Sequence, residues 1–168
     1  MVRGPRERGL VMERSWQDVL DRFHYGIYLV TIASDGMYNA MVASWVAQCS
    51  HEPPLITLAI RNTRLSREQI MNSGAFTINV LPVDALQDIG RFKISDWRRK
   101  LEGVEYELSP GGAPVLKDAV GYLDCTVERA IETGDHTLFV ARVTSGGIVK
   151  DGEALTTREY QGRYRGDR

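Results

Sequence analysis

The chain has 168 residues, of which 43% are hydrophobic and 26% are charged, and its formal net charge is −1. That length suits one domain with a core large enough to fold without disulfides, and the near-neutral charge argues against nucleic acid as a partner. No apolar run approaches the ~20 residues that span a bilayer, so we expect neither a membrane segment nor a signal peptide, and a cytoplasmic location.

We expect residues 1–14 to form a flexible arm, residues 15–160 to form the domain and residues 161–168 to form a tail. A short helix is predicted to begin at Ser15, where Asp18 completes a cap-like Ser-x-x-Asp pair. The apolar residues of this helix share one face: Trp16, Val19, Leu20 and Phe23.

Most of the domain is predicted to be β-strand, because apolar and β-branched residues run together or alternate with polar ones. The predicted strands are residues 28–33, 37–49, 55–60, 76–81, 119–131 and 136–145. Turn signals at residues 34–36 and 133–135 join two pairs of them, so the last two strands make a hairpin. Gly146 and Gly147 predict a bend before the short run 148–150.

Helices are predicted at residues 63–72, 86–92 and 96–101, with Gly74 ending the first, and a turn is predicted at residues 111–114. Six or seven strands with few helices between them favour a closed or nearly closed antiparallel barrel, which covers its own edges. The regular strand–helix alternation of a doubly wound sheet is absent. The predicted fold class is therefore mainly β with flanking helices.

Several kinds of site find no support in the sequence. There is no glycine-rich dinucleotide or P-loop motif, and no spacing typical of a nucleophile with its base, so no catalytic side chain is predicted. Cys49 and Cys125 form no CxxC pair, and the three histidines show no metal-ligand spacing. We interpret the cysteines as two buried free thiols in a reducing compartment and predict no metal site.

One segment, residues 39–54, has an unusual composition. It places the small residues Ala40, Ala43 and Ser44 beside one large aromatic residue, Trp45. Small side chains let a backbone approach a flat ligand, whose ring edge can then bond N–H and C=O groups. The alternative is a barrel strand packed under a helix with Trp45 in the core, and the pattern alone favours that alternative.

A second candidate lies where the predicted helix after residue 62 begins. Arg61, Thr63, Arg64 and Ser66 bring guanidinium groups, hydroxyls and free N–H groups to the positive end of a helix, where an anion is stabilised. A solvated helix start capped by Thr63 explains the same residues equally well.

Two further features have both a functional and a structural interpretation. Arg98, Arg99 and Lys100 form a cationic run, which is most often a solvated surface. His136 follows the Gly134–Asp135 turn, where its ring either caps the turn or meets a ligand.

Taken in order, these segments resemble the flavin reductase-like, FMN-binding split-barrel family from about Phe23 to Tyr160. The segments that carry the resemblance are 26–31, 39–54, 73–81 and 134–143, with support from 103–116 and 149–160. Their order and spacing, rather than any single motif, are specific. Within the family the chain is most similar to flavoredoxins, archaeal ferric reductases and the flavin domain of high-molecular-weight rubredoxins.

The resemblance implies a homodimer of Greek-key split barrels with one FMN per subunit near the interface, FAD being the other possible flavin. It implies that Asn39 and Trp45 line the flavin, and that Ala40, Met41, Val42, Ala43 and Ser44 supply main-chain contacts to the ring edge. It further implies that Arg61 and Ser66 hold the phosphate, a position where the family usually has Thr instead of Ser. The remaining residues that it places near the cofactor are Lys100, His136 and Tyr160.

The activity implied by the resemblance is NAD(P)H-dependent flavin reduction, with hydride passing from the nicotinamide to the flavin and electrons then passing to free flavin, ferric iron or a protein. The main alternative is an FMN-containing electron-transfer module that a protein partner reduces. A flavin- or haem-binding protein without turnover, and a relative of the pyridoxamine-phosphate oxidases, are further alternatives.

Overall fold

The computed structural model describes residues 15–160, so the predicted arm and tail lie outside the described residues. Its strands are β1 (Tyr28–Ser34), β2 (Met37–Ala43), β3 (Val46–Ser50), β4 (Leu55–Arg61), β5 (Ala75–Val80), β6 (Tyr106–Leu108), β7 (Pro114–Leu116), β8 (Gly121–Thr133) and β9 (His136–Ile148). Its helices are α1 (Ser15–Leu20), α2 (Leu65–Ser73) and three 3₁₀ helices at Val83–Gln87, Ile89–Lys93 and Trp97–Arg99.

Seven strands form one antiparallel sheet in the order β2-β1-β5-β8-β9-β4-β3. The two outermost strands, β2 and β3, follow one another in the chain and are separated only by Ser44 and Trp45. The sheet therefore has to curl until its two edges meet, which makes a barrel that is split between β2 and β3. Strands β4, β5, β8 and β9 lie in Greek-key order. The predicted mainly-β fold is confirmed.

Apolar residues fill both sides of this sheet. In β4, Ile56, Leu58 and Ile60 alternate with less buried residues and point into the barrel beside Phe139 of β9. A second cluster, which includes Leu29, packs outside the barrel under the 3₁₀ segment. Each fully buried side chain of this kind stabilises the fold by about 1.5–3 kcal/mol.

The predicted single strand over residues 37–49 is wrong, because Ser44 and Trp45 separate β2 from β3 where the chain passes from one edge of the sheet to the other. The helix predicted over 63–72 begins later, at Leu65. Arg64 occupies the N-cap without a side-chain bond, so Thr63 is not the cap. Gly74 ends the helix in the left-handed conformation (φ 68°), as predicted, and its N–H bonds Ile70 O.

The two helices predicted within residues 86–101 are three 3₁₀ helices instead. Ile89 and Phe92, the buried residues of the middle one, are three positions apart, which matches the three-residue turn of a 3₁₀ helix. The β6–β7 ribbon was not predicted, and the expected turn at 111–114 lies largely in the loop that joins its strands.

Strand β9 runs on to Ile148 without the bend expected at Gly146 and Gly147. A Cβ at Gly146 would lie 2.7 Å from the carbonyl oxygen of Tyr122, so glycine here permits close pairing with β8. The irregularities lie instead in the β8–β9 register, which shifts between Asp124 and Cys125 and again between Val127 and Arg129.

Two surface features bear on the site. The four apolar residues of the predicted α1 face are 48–67% exposed. Cys125 is buried, whereas Cys49 is exposed, contrary to expectation, because it lies on the edge strand β3. Burial and the neighbouring Asp124 raise the pKa of the Cys125 thiol to about 12, which makes it unreactive. Within residues 15–160 no helix is long and apolar enough to cross a membrane.

Candidate functional site

A cavity of about 1100 Å³ lies where β2, the start of α2, the 3₁₀ segment, the start of β9 and α1 meet. Eleven of the twelve cofactor-binding residues predicted from sequence lie on its wall. They are Asn39, Met41, Val42, Ala43, Ser44, Trp45, Arg61, Ser66, Lys100, His136 and Tyr160. The fold thus brings residues up to 121 positions apart in the chain to one surface, since Asn39 and Tyr160 both belong to it.

The barrel register explains why Arg61 and His136 meet. They are direct partners in the β4–β9 ladder, at the end of one strand and the beginning of the other. Trp45, which is 49% exposed, lies beside them in the gap between β2 and β3, with its ring centroid 4.7 Å from that of His136 and the planes 36° apart. The aromatic side chain predicted for a flat ligand is therefore on the wall and not in the barrel core.

The His136 imidazole is held by the turn that precedes it. Its Nδ1 lies 2.6 Å from Asp135 Oδ1, and this hydrogen bond is the main cause that lowers the pKa of the Asp135 carboxyl. The His136 ring thus bonds the turn and also lines the cavity, so both interpretations that the sequence left open apply to it.

The beginning of α2 forms a positive end of the cavity. Ser66, in the first turn, is only 4% exposed, and it lines the cavity together with Arg61 and Arg64. The first N–H groups of a helix lack partners within it and carry a partial positive charge. Thr63 is not on the wall. This end of the cavity is suited to an anion.

Lys100 is the member of the cationic run that reaches the cavity, whereas Arg98 and Arg99 do not line it. Its ammonium donates to the carbonyl oxygen of Ala40 at 2.9 Å. Burial, together with the charge of Arg64, lowers the pKa of Lys100. A cation in this position adds to the affinity of the cavity for negative charge.

Ala40 is the predicted residue that the cavity excludes, since it is fully buried. Its N–H donates to Asn39 Oδ1 at 2.7 Å and its carbonyl accepts from Lys100, so its main-chain groups face away from β1. Because alternate residues of a strand face the same way, Val42 also points its N–H and C=O to the open edge of β2. Main-chain contacts to a ligand ring are thus available from Val42, whereas the N–H and C=O of Ala40 already have partners within the protein.

Tyr160 lies on the cavity wall under the ammonium of Lys93, which is 5.1 Å from the ring centroid and 3.3 Å from the phenol oxygen. Sequence reasoning missed the aromatic residues that α1, the segment after it and the 3₁₀ segment contribute to the cavity, above all Trp16, Phe23 and Trp97. The apolar face predicted for α1 could have indicated these residues, because an exposed apolar helix face often borders a ligand or a partner.

A family model and several known proteins match the chain. Residues 20–166 match the family model described as "Flavin reductase like domain". The chain is 33% identical over 146 residues to the high molecular weight rubredoxin of Moorella thermoacetica, a match that covers 84% of this chain and 64%, less than two thirds, of that protein.

The chain is also 33% identical over 144 residues to the ferric-chelate reductase (NAD(P)H) of Archaeoglobus fulgidus, with 83% of this chain and 85% of that protein covered. Among solved structures it resembles BorF, the flavin reductase component of a bacterial two-component tryptophan halogenase, with a TM-score of 0.77 and 25% identity. That match covers 88% of this chain and 94% of BorF. The chain therefore belongs to the flavin reductase-like family, as the order of its sequence segments indicated.

Proposed function

We propose that this protein is a flavin oxidoreductase that binds one FMN per chain in the cavity and accepts electrons from NAD(P)H. The observation that carries the proposal is the convergence of an anion-binding helix start, an open strand edge and an exposed tryptophan on one cavity of about 1100 Å³. That volume is slightly above the usual range of small-molecule sites, which leaves room for a nicotinamide beside the flavin.

The residues present fit FMN by their chemistry. Arg61, Ser66 and the N–H groups at the start of α2 supply donors and positive charge for a phosphate. The edge of β2 at Val42 offers main-chain groups to the polar edge of the ring system, and Trp45 offers it an aromatic surface. The anion-binding end at the start of α2 fits the single phosphate of FMN.

When bound, FMN supplies the redox chemistry, as it can take a hydride from a nicotinamide and release electrons singly or in pairs. The chain's own residues orient and tune it. Trp45 and His136 form a wall on which a flat ring could stack, and Lys100 places positive charge on the cavity wall, where it would stabilise negative charge on a reduced flavin. No side chain needs to act as acid or nucleophile. Free flavin, ferric iron or a protein is the proposed electron acceptor, supported by similarity to a protein named ferric-chelate reductase.

Titration of the purified protein with FMN tests the binding step. We expect quenching of flavin fluorescence that saturates at one FMN per chain, or a yellow protein that already holds it. The proposal is wrong if the purified protein has no flavin absorbance band and added FMN shows no fluorescence quenching.

The alternative of an electron-transfer module reduced by a protein partner is favoured by the similarity to the high molecular weight rubredoxin. Both functions need the same flavin site, so binding alone does not separate them. Steady-state oxidation of NADH and NADPH does: turnover with either supports the reductase, and its absence with FMN bound supports the module.

We also propose a homodimer and a cytoplasmic location. The apolar face of α1 and the exposed side chains of Ile131, Ile148 and Val149 are apolar surface that a second subunit could cover. The two free cysteines suit a reducing compartment. Light scattering should report twice the chain mass of 18.9 kDa, and a value near 18.9 kDa with FMN present contradicts the dimer.

A further inference from the structure

Asn39, at the middle of β2, uses its side-chain amide in hydrogen bonds within the protein. It is 2% exposed, and its Nδ2 donates to Ser66 Oγ at 3.2 Å and to Gln69 Oε1 at 2.6 Å. These two bonds tie β2 to the first two turns of α2. An amide group engaged in this way has no hydrogen left for a ligand.

The orientation of this amide is fixed by its neighbour. The Ala40 N–H lies 2.7 Å from Asn39 Oδ1 and can only donate, so the atom that faces it must be the oxygen. The nitrogen therefore has to face Ser66 and Gln69. Gln69, itself 7% exposed, secures the arrangement because its oxygen accepts the second N–H.

The Asn39 amide determines which hydrogen bonds the Ser66 hydroxyl can still make. A hydroxyl has one proton to donate and two lone pairs that accept, and here one lone pair is taken by the Asn39 N–H. Within residues 15–160 the Ser66 hydroxyl donates to no protein acceptor, and Ser66 lies on the cavity wall at the positive end. Its proton is thus left for an acceptor in the cavity.

We propose that Asn39, held by Gln69, is a positioning residue that makes Ser66 a hydrogen-bond donor to the ligand phosphate. This inference rests on the proposed flavin site and assigns a residue that acts through another. It replaces the expectation that the Asn39 amide itself contacts the flavin. Selectivity for phosphorylated over unphosphorylated flavin then depends on a residue that does not touch the phosphate.

The test compares FMN with riboflavin, which lacks the phosphate, on the full-length apoprotein. Ser66→Ala should weaken FMN binding about tenfold or more and leave riboflavin binding unchanged. Asn39→Ala should weaken FMN binding in the same selective way. In the Ser66→Ala background, Asn39→Ala should not alter the FMN-to-riboflavin affinity ratio any further, because the hydroxyl through which it acts is gone.

Asn39→Asp keeps the shape of the side chain if Asn39→Ala fails to fold. A carboxylate at this position only accepts, so it captures the Ser66 proton and turns the lone pairs toward the phosphate. FMN affinity should then fall further than in Ser66→Ala, with the riboflavin affinity retained.

Asn79→Ala is the matched control, because Asn79 is equally buried and hydrogen-bonded, to Leu29 O and Pro114 O, but lies away from the cavity. It should lower the melting temperature without changing the affinity ratio. The inference is overturned if Asn39→Ala weakens FMN and riboflavin equally, or if its selective effect persists without the Ser66 hydroxyl. If Ser66→Ala itself leaves the ratio unchanged while FMN still binds, the phosphate site at α2 is wrong and the inference falls with it.

Discussion

Asp124 of β8 is a buried carboxylate whose removal should be costly for the fold. It is 2% exposed and accepts four hydrogen bonds. They come from Thr77 Oγ1 at 2.5 Å, Ser109 Oγ at 2.6 Å, Ser145 Oγ at 2.7 Å and Gly111 N at 2.9 Å. These donors lie on β5, on the loop between β6 and β7, and on β9, so the carboxylate fastens the ribbon to the barrel.

The cost of Asp124→Ala follows from what it leaves behind. Each buried donor without an acceptor costs about 1–3 kcal/mol, although the three hydroxyls can turn toward other acceptors and only the Gly111 N–H cannot. We therefore expect a loss of about 3–5 kcal/mol in the free energy of unfolding, a large part of the total for a domain of this size. Asp124→Asn keeps one acceptor oxygen and should lose about 2 kcal/mol.

The pH dependence gives an independent check. Burial by itself would raise the pKa of Asp124, but the bonds from Ser109, Thr77, Ser145 and Gly111 outweigh burial and hold the pKa below its usual value. The contribution of the carboxylate is therefore present above the unfolded-state pKa of about 3.9 and is lost as pH falls through the lower folded-state pKa. The stability gap between wild type and Asp124→Asn should narrow in that acid range.

Urea denaturation at neutral pH and at about pH 3 measures both effects. Asp118→Ala and Asp118→Asn are the matched controls, because the Asp118 carboxylate is 86% exposed and pairs with Lys150 on the surface. The reasoning is refuted if Asp124→Ala is no less stable than Asp118→Ala, or if the gap between wild type and Asp124→Asn is the same at both pH values.

Three further predictions concern the cavity. Arg61→Ala should weaken FMN binding about ten- to a hundredfold in a fluorescence titration and leave riboflavin binding unchanged; equal losses would mean that the residue supports the fold. His136→Asn should weaken FMN binding about fivefold or lower the flavin midpoint potential, because the His136 ring faces the cavity. If His136→Asn has the wild-type affinity and potential, and only His136→Ala lowers the melting temperature, then His136 has a structural role in the turn alone. Because the pKa of Lys100 is lowered, Lys100 should lose its charge at a pH below the usual lysine pKa of about 10.4, and FMN affinity should fall as it does so. Lys100→Arg should keep its FMN affinity over the same pH range. Identical pH profiles for the two proteins would rule out a role for this charge.

Strand signals along the sequence predict the barrel well because they are local. The apolar run of β4 and the alternation over residues 119–131, which include most of β8, already predict strands. The break at Ser44 and Trp45 is different, since it exists because the sheet closes on itself, and no local pattern records where two edges meet. The three-residue strands of the β6–β7 ribbon are too short to show a period.

The burial of Asp124 could not be predicted from the sequence for the same reason. Period-2 alternation places it with the outward polar residues of β8, but the register shift after it and the ribbon that covers it bury it completely. The site residues were found through the order of family segments, whereas their contacts depend on tertiary structure. That Asn39 reaches Ser66, and that Trp45 meets His136, follows from strand register and helix placement and not from sequence spacing.

Anaerobic addition of NADH, and separately of NADPH, to the protein loaded with FMN tests the central claim most directly. The flavin absorbance band should bleach with one of the two nicotinamides and return when air, free flavin or ferric iron is added. A protein that shows no flavin band even after FMN is supplied, or a bound flavin that neither nicotinamide bleaches, would contradict the assignment as an NAD(P)H-dependent flavin reductase.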